Sequence, residues 1–285
     1  MGFASRIVRA VANRIPAHAA DRAAAALLPL RPFERLELPA ESALTIVCDD
    51  GESRDLEIVE LLDRLGVKGV FAVSPDLIGR PGFLGYPELR QILAAGHEIA
   101  FHGTTHDPFT GFADRTSLRA AIETGMTSLL GQGLGSPATL IYPYGSNNRW
   151  VREVVSTSFD CAFATWYGVN RGRVNRFALQ RVAFGAYTGK LPATEAWYRG
   201  LIDQAVAGGA WPVLMLHPGD RQHTAEHTAL LGRLVEYACA RGVSVRTVAS
   251  HLRRASVEGS PESPATATHG APHAAIPTAS GRRTV

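Results

Sequence analysis

Cysteine is scarce in this chain. Cys48, Cys161 and Cys239 are an odd number, carry no metal-binding spacing and lie in apolar surroundings. A disulfide framework is thereby excluded, and reduced core thiols are expected. Net charge is equally thin, a formal +3 over 285 residues, which gives no case for a nucleic-acid partner. No apolar stretch is long enough to cross a bilayer, and the arginine-dotted beginning offers neither a compact apolar segment nor a clear cleavage site. A cytoplasmic protein is the expectation. No internal repeat is visible.

What is present is enough apolar residue, 46% of the chain, to bury one large core. The two ends read differently from the middle. Phe3, Ile7, Val8, Val11 and Ile15 recur at helical spacing beside Arg6, Arg9 and Arg14, and Pro16 interrupts the pattern. Two readings stand open: a basic amphipathic helix in weak contact with the inner face of a membrane, or a helix packed on the domain or left as an arm. Pro29, Pro32 and Pro39 then mark a linker, so residues 1–40 are expected as a helical extension and linker. Residues 41–254 are expected as the folded domain, and residues 255–285, rich in Ser, Pro, Ala, Thr and Gly, as a disordered tail.

Within the domain, strand and helix signals alternate. Helices are expected at 53–65, 86–95, 115–130, 195–207 and 224–240, and strands at 44–48, 67–73, 99–101, 139–142, 211–216 and 243–248. That alternation predicts a parallel α/β sheet.

The chemistry-bearing residues fall at strand ends. The apolar run Thr45 to Cys48 leads into Asp49-Asp50-Gly51. Asp-Asp-Gly is good turn chemistry, but two adjacent carboxylates also repel, and a divalent metal resolves the conflict when one binds it and the other stays free as a base. His102 and His106 follow in Phe101-His102-Gly103-Thr104-Thr105-His106, a spacing that lets both imidazoles converge on one ion. Two histidines and one carboxylate leave a position open for water, as hydrolytic metal sites require.

Two later segments complete a pattern: Tyr142-Pro143-Tyr144-Gly145, and the apolar run Val213 to Leu216 ending in His217. In this order, from about Leu44 to Leu252, the chain resembles the polysaccharide deacetylases of the NodB-homology type, carbohydrate esterase family 4. The resemblance implies a distorted (β/α) barrel with about seven parallel strands. It implies Asp49 as catalytic base, Asp50, His102 and His106 as metal ligands, and His217 as general acid. Pro143 and Tyr144 would line the groove, the Tyr144 N–H helping to hold the oxyanion. These residue types suit amide hydrolysis: a carboxylate to take a proton from water, an imidazole to give one to the leaving nitrogen, and a fixed N–H for the developing charge.

The family's third motif carries an arginine two residues before its proline, paired with the catalytic base, and here that position is Ile141. Arg181, in the apolar stretch Phe177 to Phe184, either points to the barrel mouth as a replacement or makes a surface ion pair; both readings stand. Trp166 is either a wall for a sugar ring or a packed core residue. Asp160 lies too far from its strand end to serve His217. The loop 168–176 is a candidate for substrate contact. His223 and His227 read as surface residues, and His269 and His273 lie in the tail.

The function expected is a metal-dependent hydrolase that removes an N-acetyl group from an acetamido sugar or glycan and releases acetate. Zinc is the first expectation for the ion, with cobalt, nickel and iron also compatible with this ligand set. The cytoplasmic expectation favours a small or carrier-linked sugar. Two alternatives remain: a C–N hydrolase acting on a non-sugar amide, and a carbohydrate-binding protein that has lost turnover with its motif arginine.

Overall fold

A computed structural model describes residues 29–165 and 167–258, with side chains up to Arg253. The N-terminal helix expected over the first residues, the tail histidines and Trp166 lie outside the described residues. The elements run β1 (Arg35–Glu37), β2 (Ala43–Cys48), α1 (Asp55–Arg64), β3 (Val70–Val73), α2 (Tyr86–Ala94), β4 (Glu98–Phe101), α3 (Arg115–Gly131), β5 (Thr139–Ile141) and α4 (Arg149–Val155). They continue through β6 (Cys161–Phe163), β7 (Arg173–Asn175), β8 (Val182–Phe184), α5 (Glu195–Gly208), β9 (Val213–Leu216), α6 (Ala225–Ala240), β10 (Ser244–Val245) and α7 (Val248–Glu258).

Seven parallel strands pair in the order β6-β5-β4-β3-β2-β9-β8. The short β10 lies parallel to the start of β2, Ser244 opposite Ala43. The sheet curls until its edges meet: Leu179, just before β8, bridges Phe163, and the Ala164 N–H donates to the Leu179 carbonyl at 2.8 Å. The result is the distorted barrel. Its strands are buried on both faces, so they read as continuous apolar runs. One set of alternate residues, including Val47, Ala72, Ala100, Ile141, Phe163 and Val213, fills the interior. The other, including Ile46, Cys48, Phe71, Phe101 and Leu216, meets the helices outside.

That period of two aims the chemistry. Asp49, His102 and His217 continue the inward parity of β2, β4 and β9 and therefore enter the barrel at the carboxyl ends of the strands. Arg181 has the inward parity of β8. Ile141 has it too, on β5, and there it fills the lumen with no exposed surface.

Several expectations are corrected. The segment up to residue 40 is not wholly linker: β1 pairs antiparallel with β7, Leu36 opposite Val174. That pairing also removes the stretch 168–176 from the site, because β7 crosses the amino ends of the barrel strands. Its start is tied there by Asn170, which exchanges backbone bonds with Trp211. The last strand ends at Val245, and Val248 opens α7, where Glu98 accepts from the Ala249 N–H at 2.8 Å and Thr247 from the Ser250 N–H. The helix therefore runs four residues into the stretch read as tail. Cys239 is exposed rather than buried. His223 precedes α6 and is buried, its Nε2 at 3.2 Å from Thr228 Oγ1, so it is no surface residue.

Candidate active site

Three ligand-type atoms meet at the mouth. Asp50 Oδ1 lies 3.3 Å from His102 Nε2 and 3.0 Å from His106 Nε2, and the two Nε2 atoms are 3.2 Å apart. His102 Nδ1 faces the Ile141 carbonyl at 2.9 Å. A carbonyl only accepts, so the ring proton sits on Nδ1 and the Nε2 lone pair points at the cluster. Asp50 Oδ1 is buried, and among the described residues no donor faces it other than the two imidazoles. Three basic atoms this close are stable only around a positive charge, and two imidazoles with one carboxylate suit a divalent first-row cation. The same demand shows in the proton affinities. Burial raises Asp50, yet the bonds from His102 and His106 outweigh it and hold the carboxyl far below its usual range. His102 is lowered by burial but raised more by Asp50 and Asp49, with a net upward shift.

Asp50 has the wrong parity for the interior and reaches it by leaving β2 in the left-handed region, at φ 77°. His106 turns back through φ 66° and Tyr144 through φ 56°. Each is a conformation that L-residues other than glycine adopt at a cost.

Asp49 stands apart from the triad. Arg181 Nη1 donates to Asp49 Oδ1 at 2.6 Å and to Oδ2 at 2.8 Å, while its Nε donates to the Ala164 carbonyl. Both side chains are buried, Arg181 at 1% exposure, so this is no surface ion pair. His217 Nε2 lies on the same side, 3.7 Å from Asp49 Oδ2 and 3.9 Å from Asp50 Oδ2. Among the described residues its buried Nδ1 has no partner. Burial lowers the His217 proton affinity and Arg181 and His102 lower it further, against the pull of Asp49 and Asp50, and the net shift is downward. Beneath the site, Asp55 has both oxygens buried without a partner among the described residues. Burial first, then the charges of Glu52, Asp50 and Asp49, push its carboxyl well above the usual range.

A cavity of about 530 Å³ gathers Asp49, Asp50, His102, His106, Tyr144, Arg181 and His217. Pro143 sits behind its wall, against Gly103. Asp160 is remote, lining a separate cavity at the amino end with Thr139 and Arg176. Sequence reasoning missed Thr165, Tyr167, Tyr187 and Met215, which also line the site cavity. Met215 could have been found from the inward parity of β9. Tyr187 could not: its ring stands edge-on to His217, centroids 4.7 Å apart, because its hydroxyl donates to Asp220 Oδ2 across two loops.

Residues 39–158 match the family model described as polysaccharide deacetylase. No curated protein matches the sequence. Among solved structures, the chain is similar to the chitin deacetylase of the fungal pathogen Colletotrichum lindemuthianum (TM-score 0.57, 13% identity, covering 76% of this chain and 90% of that one). It is similar to a family 4 acetyl xylan esterase from Clostridium thermocellum in complex with a cobalt ion (0.54, 15%, 79% and 95%). It is also similar to a family 4 pseudoenzyme from Bacillus anthracis (0.52, 16%, 75% and 66%). At these identities the structural likeness establishes the fold, a barrel of parallel strands. Taken with the family match across the segment that holds Asp49, Asp50, His102 and His106, it bears out the resemblance to the polysaccharide deacetylases of carbohydrate esterase family 4.

Proposed function

We propose that the protein is a metal-dependent N-deacetylase that hydrolyses the acetamido group of a sugar or glycan to the amine and acetate. The observation that carries this reading is the division of labour in one cavity: a ligand triad of Asp50, His102 and His106, a separate carboxylate held by Arg181, and an imidazole beside both. Bound at the triad, a divalent ion would lower the pKa of a water and polarise the acyl carbonyl; zinc fits the ligand set, as do cobalt, nickel and iron.

The chain's own residues do the rest. Asp49 takes a proton from the attacking water, and the Arg181 Nη1 that reaches both of its oxygens keeps the carboxylate oriented toward the cavity. Arg181 stands in for the arginine that the third motif lacks at Ile141. It reaches that carboxylate from the start of β8 rather than from the end of β5. Its presence removes the reason to read Ile141 as a loss of turnover. His217 delivers a proton to the leaving nitrogen, a role suited to an imidazole close enough to Asp49 to exchange protons with it through water. The Tyr144 N–H, in its left-handed turn, donates to the developing oxyanion. Tyr144, Tyr167 and Tyr187 are all substantially exposed around the mouth and offer flat apolar faces with polar rims to a sugar ring.

The test is acetate release from N-acetyl sugars, carrier-linked sugars and short oligosaccharides, with O-acetyl xylo-oligosaccharides alongside, using metal-loaded protein and its chelated form. Chelator-sensitive release from the N-acetyl compounds is expected. Release from the esters alone would replace the amide reading by an esterase, and no release by metal-loaded protein would return weight to a binding protein.

A further inference from the structure

Behind the Pro143-Tyr144-Gly145 turn runs a chain of buried polar groups that none of the motifs includes. Asn147 Nδ2 donates to the Gly145 carbonyl at 3.0 Å. Arg152 Nη1, on α4, donates to Asn147 Oδ1 at 2.9 Å, which fixes the amide the right way round for the first bond. Arg152 Nε donates to Glu34 Oε1 at 2.8 Å, and the other Glu34 oxygen accepts from the N–H and Nε of Arg31. Glu34 and Asn147 are each 3% exposed and Arg152 8%. The chain thus links the segment before β1 to the turn that carries Tyr144.

That turn needs holding. Tyr144 and Gly145 are successive left-handed residues, φ 56° and 66°, and relaxation of Tyr144 toward the ordinary helical or extended regions would swing both its N–H and its ring. The ring centroid lies 4.8 Å from that of His106. A second strut, the Ser146 and Thr110 hydroxyls at 2.7 Å, fixes the following residue but leaves the Gly145 carbonyl to Asn147 alone among the side-chain bonds of the described residues.

We propose that Asn147, locked by the Arg152–Glu34 ion pair, is a positioning residue that holds Tyr144 in its left-handed conformation and so sets the geometry of the oxyanion side of the site. The catalytic part of this inference rests on the deacetylase reading; the conformational part does not. Low-dielectric burial makes each bond of the chain strong and each broken bond costly, so the turn has one well-defined position instead of several.

The experiment compares wild type with Asn147→Ala and Asn147→Asp. The aspartate keeps an acceptor for Arg152 but has no N–H for the Gly145 carbonyl. Amide hydrogen exchange over 142–146 is expected to quicken in both variants, with metal content unchanged. On a substrate that wild type turns over, kcat should fall about ten- to a hundredfold, as small misplacements of a catalytic donor do, with KM within about twofold. In Asn147→Asp, Tm should recover toward wild type while kcat does not. Unchanged exchange over 142–146, or a kcat that recovers together with Tm, overturns the proposal. Should wild type turn over nothing, the deacetylase reading fails while the exchange measurement still decides whether Asn147 holds the turn.

Discussion

The two ends of the barrel are built from the same strands and handle their polar groups in opposite ways. At the amino end, Trp211 Nε1 donates to Thr45 Oγ1, which donates to the Arg246 carbonyl, and Glu98 accepts from Thr139 and from the first turn of α7. Left-handed residues there are helix-ending glycines such as Gly66 and Gly96, for which the conformation carries no steric cost. At the carboxyl end, Asp50, His106, Tyr144 and Tyr187 are left-handed without being glycine, at about 1–2 kcal/mol each. Among the described residues, buried Asp50 Oδ1 meets only the two imidazoles and buried His217 Nδ1 has no hydrogen-bond partner. The lesson is that the carboxyl end keeps strain and unsatisfied groups because the side chains are needed there, and the settled amino end offsets that cost. Two groups break the pattern among the described residues: His251, at the amino end against Trp211, has both ring nitrogens buried without a partner, and Arg176 has its Nε buried without one.

The largest effect expected is at the triad. Asp50→Ala or His102→Ala should abolish both bound metal and turnover; stoichiometric metal in either, by elemental analysis, would remove that residue from the ligand set. Asp49→Asn should retain metal and lose about 10²–10⁴-fold in kcat, the range of a general base, and near-normal turnover would assign the base elsewhere. Arg181→Ala leaves a buried carboxylate unpaired and should cost about 3–5 kcal/mol in a denaturant melt together with a shifted pH–rate profile. Unchanged stability and pH profile would contradict the positioning role.

The amino end can be probed through His251. Burial, with Arg246 second, lowers its pKa to about 4, below the roughly 6.5 of the unfolded chain. Between those values the unfolded state binds the extra proton, so the neutral buried form is fully accommodated above pH 6.5 and stability falls as pH drops toward 4, by about 3 kcal/mol. Urea melts at several pH values should show this slope, and His251→Phe should flatten it. His223, lowered to about 4 by burial first, adds a component of the same sign that His251→Phe leaves in place.

The smallest contrast is between turns. A Cβ on Gly66 meets nothing within 4 Å, so Gly66→Ala should cost about 1 kcal/mol of backbone strain alone with kcat unchanged. Tyr144→Gly should alter Tm little, since the strain released is offset by a more mobile unfolded chain, yet lower kcat. Equal effects of both changes on kcat would erase the distinction between the two ends.

Much of the barrel was legible in the sequence because strands buried on both faces form unbroken apolar runs and the helices between them carry caps and stops. The β2, β4 and β9 strands ended where expected, and with them Asp49, His102 and His217. The β1–β7 pair was not legible: Arg35–Glu37 and Arg173–Asn175 are three residues each, too short for any period, and they are strands only because they find each other. β10 failed for the same reason, and the α7 start was hidden because Glu98 caps it from 151 residues away. Tyr187 was invisible because its place depends on a bond to Asp220.

The sequence by itself determined the parallel α/β alternation and the strand-end placement of the triad, since periodicity and local spacing are properties of neighbours along the chain. Only the tertiary structure decided that Arg181 meets Asp49, that Ile141 fills the lumen and offers its carbonyl to His102, and that Glu34 and Arg152 stand behind the Tyr144 turn. Those contacts join residues 132, 39 and 118 positions apart, and closure of the barrel is what makes them neighbours.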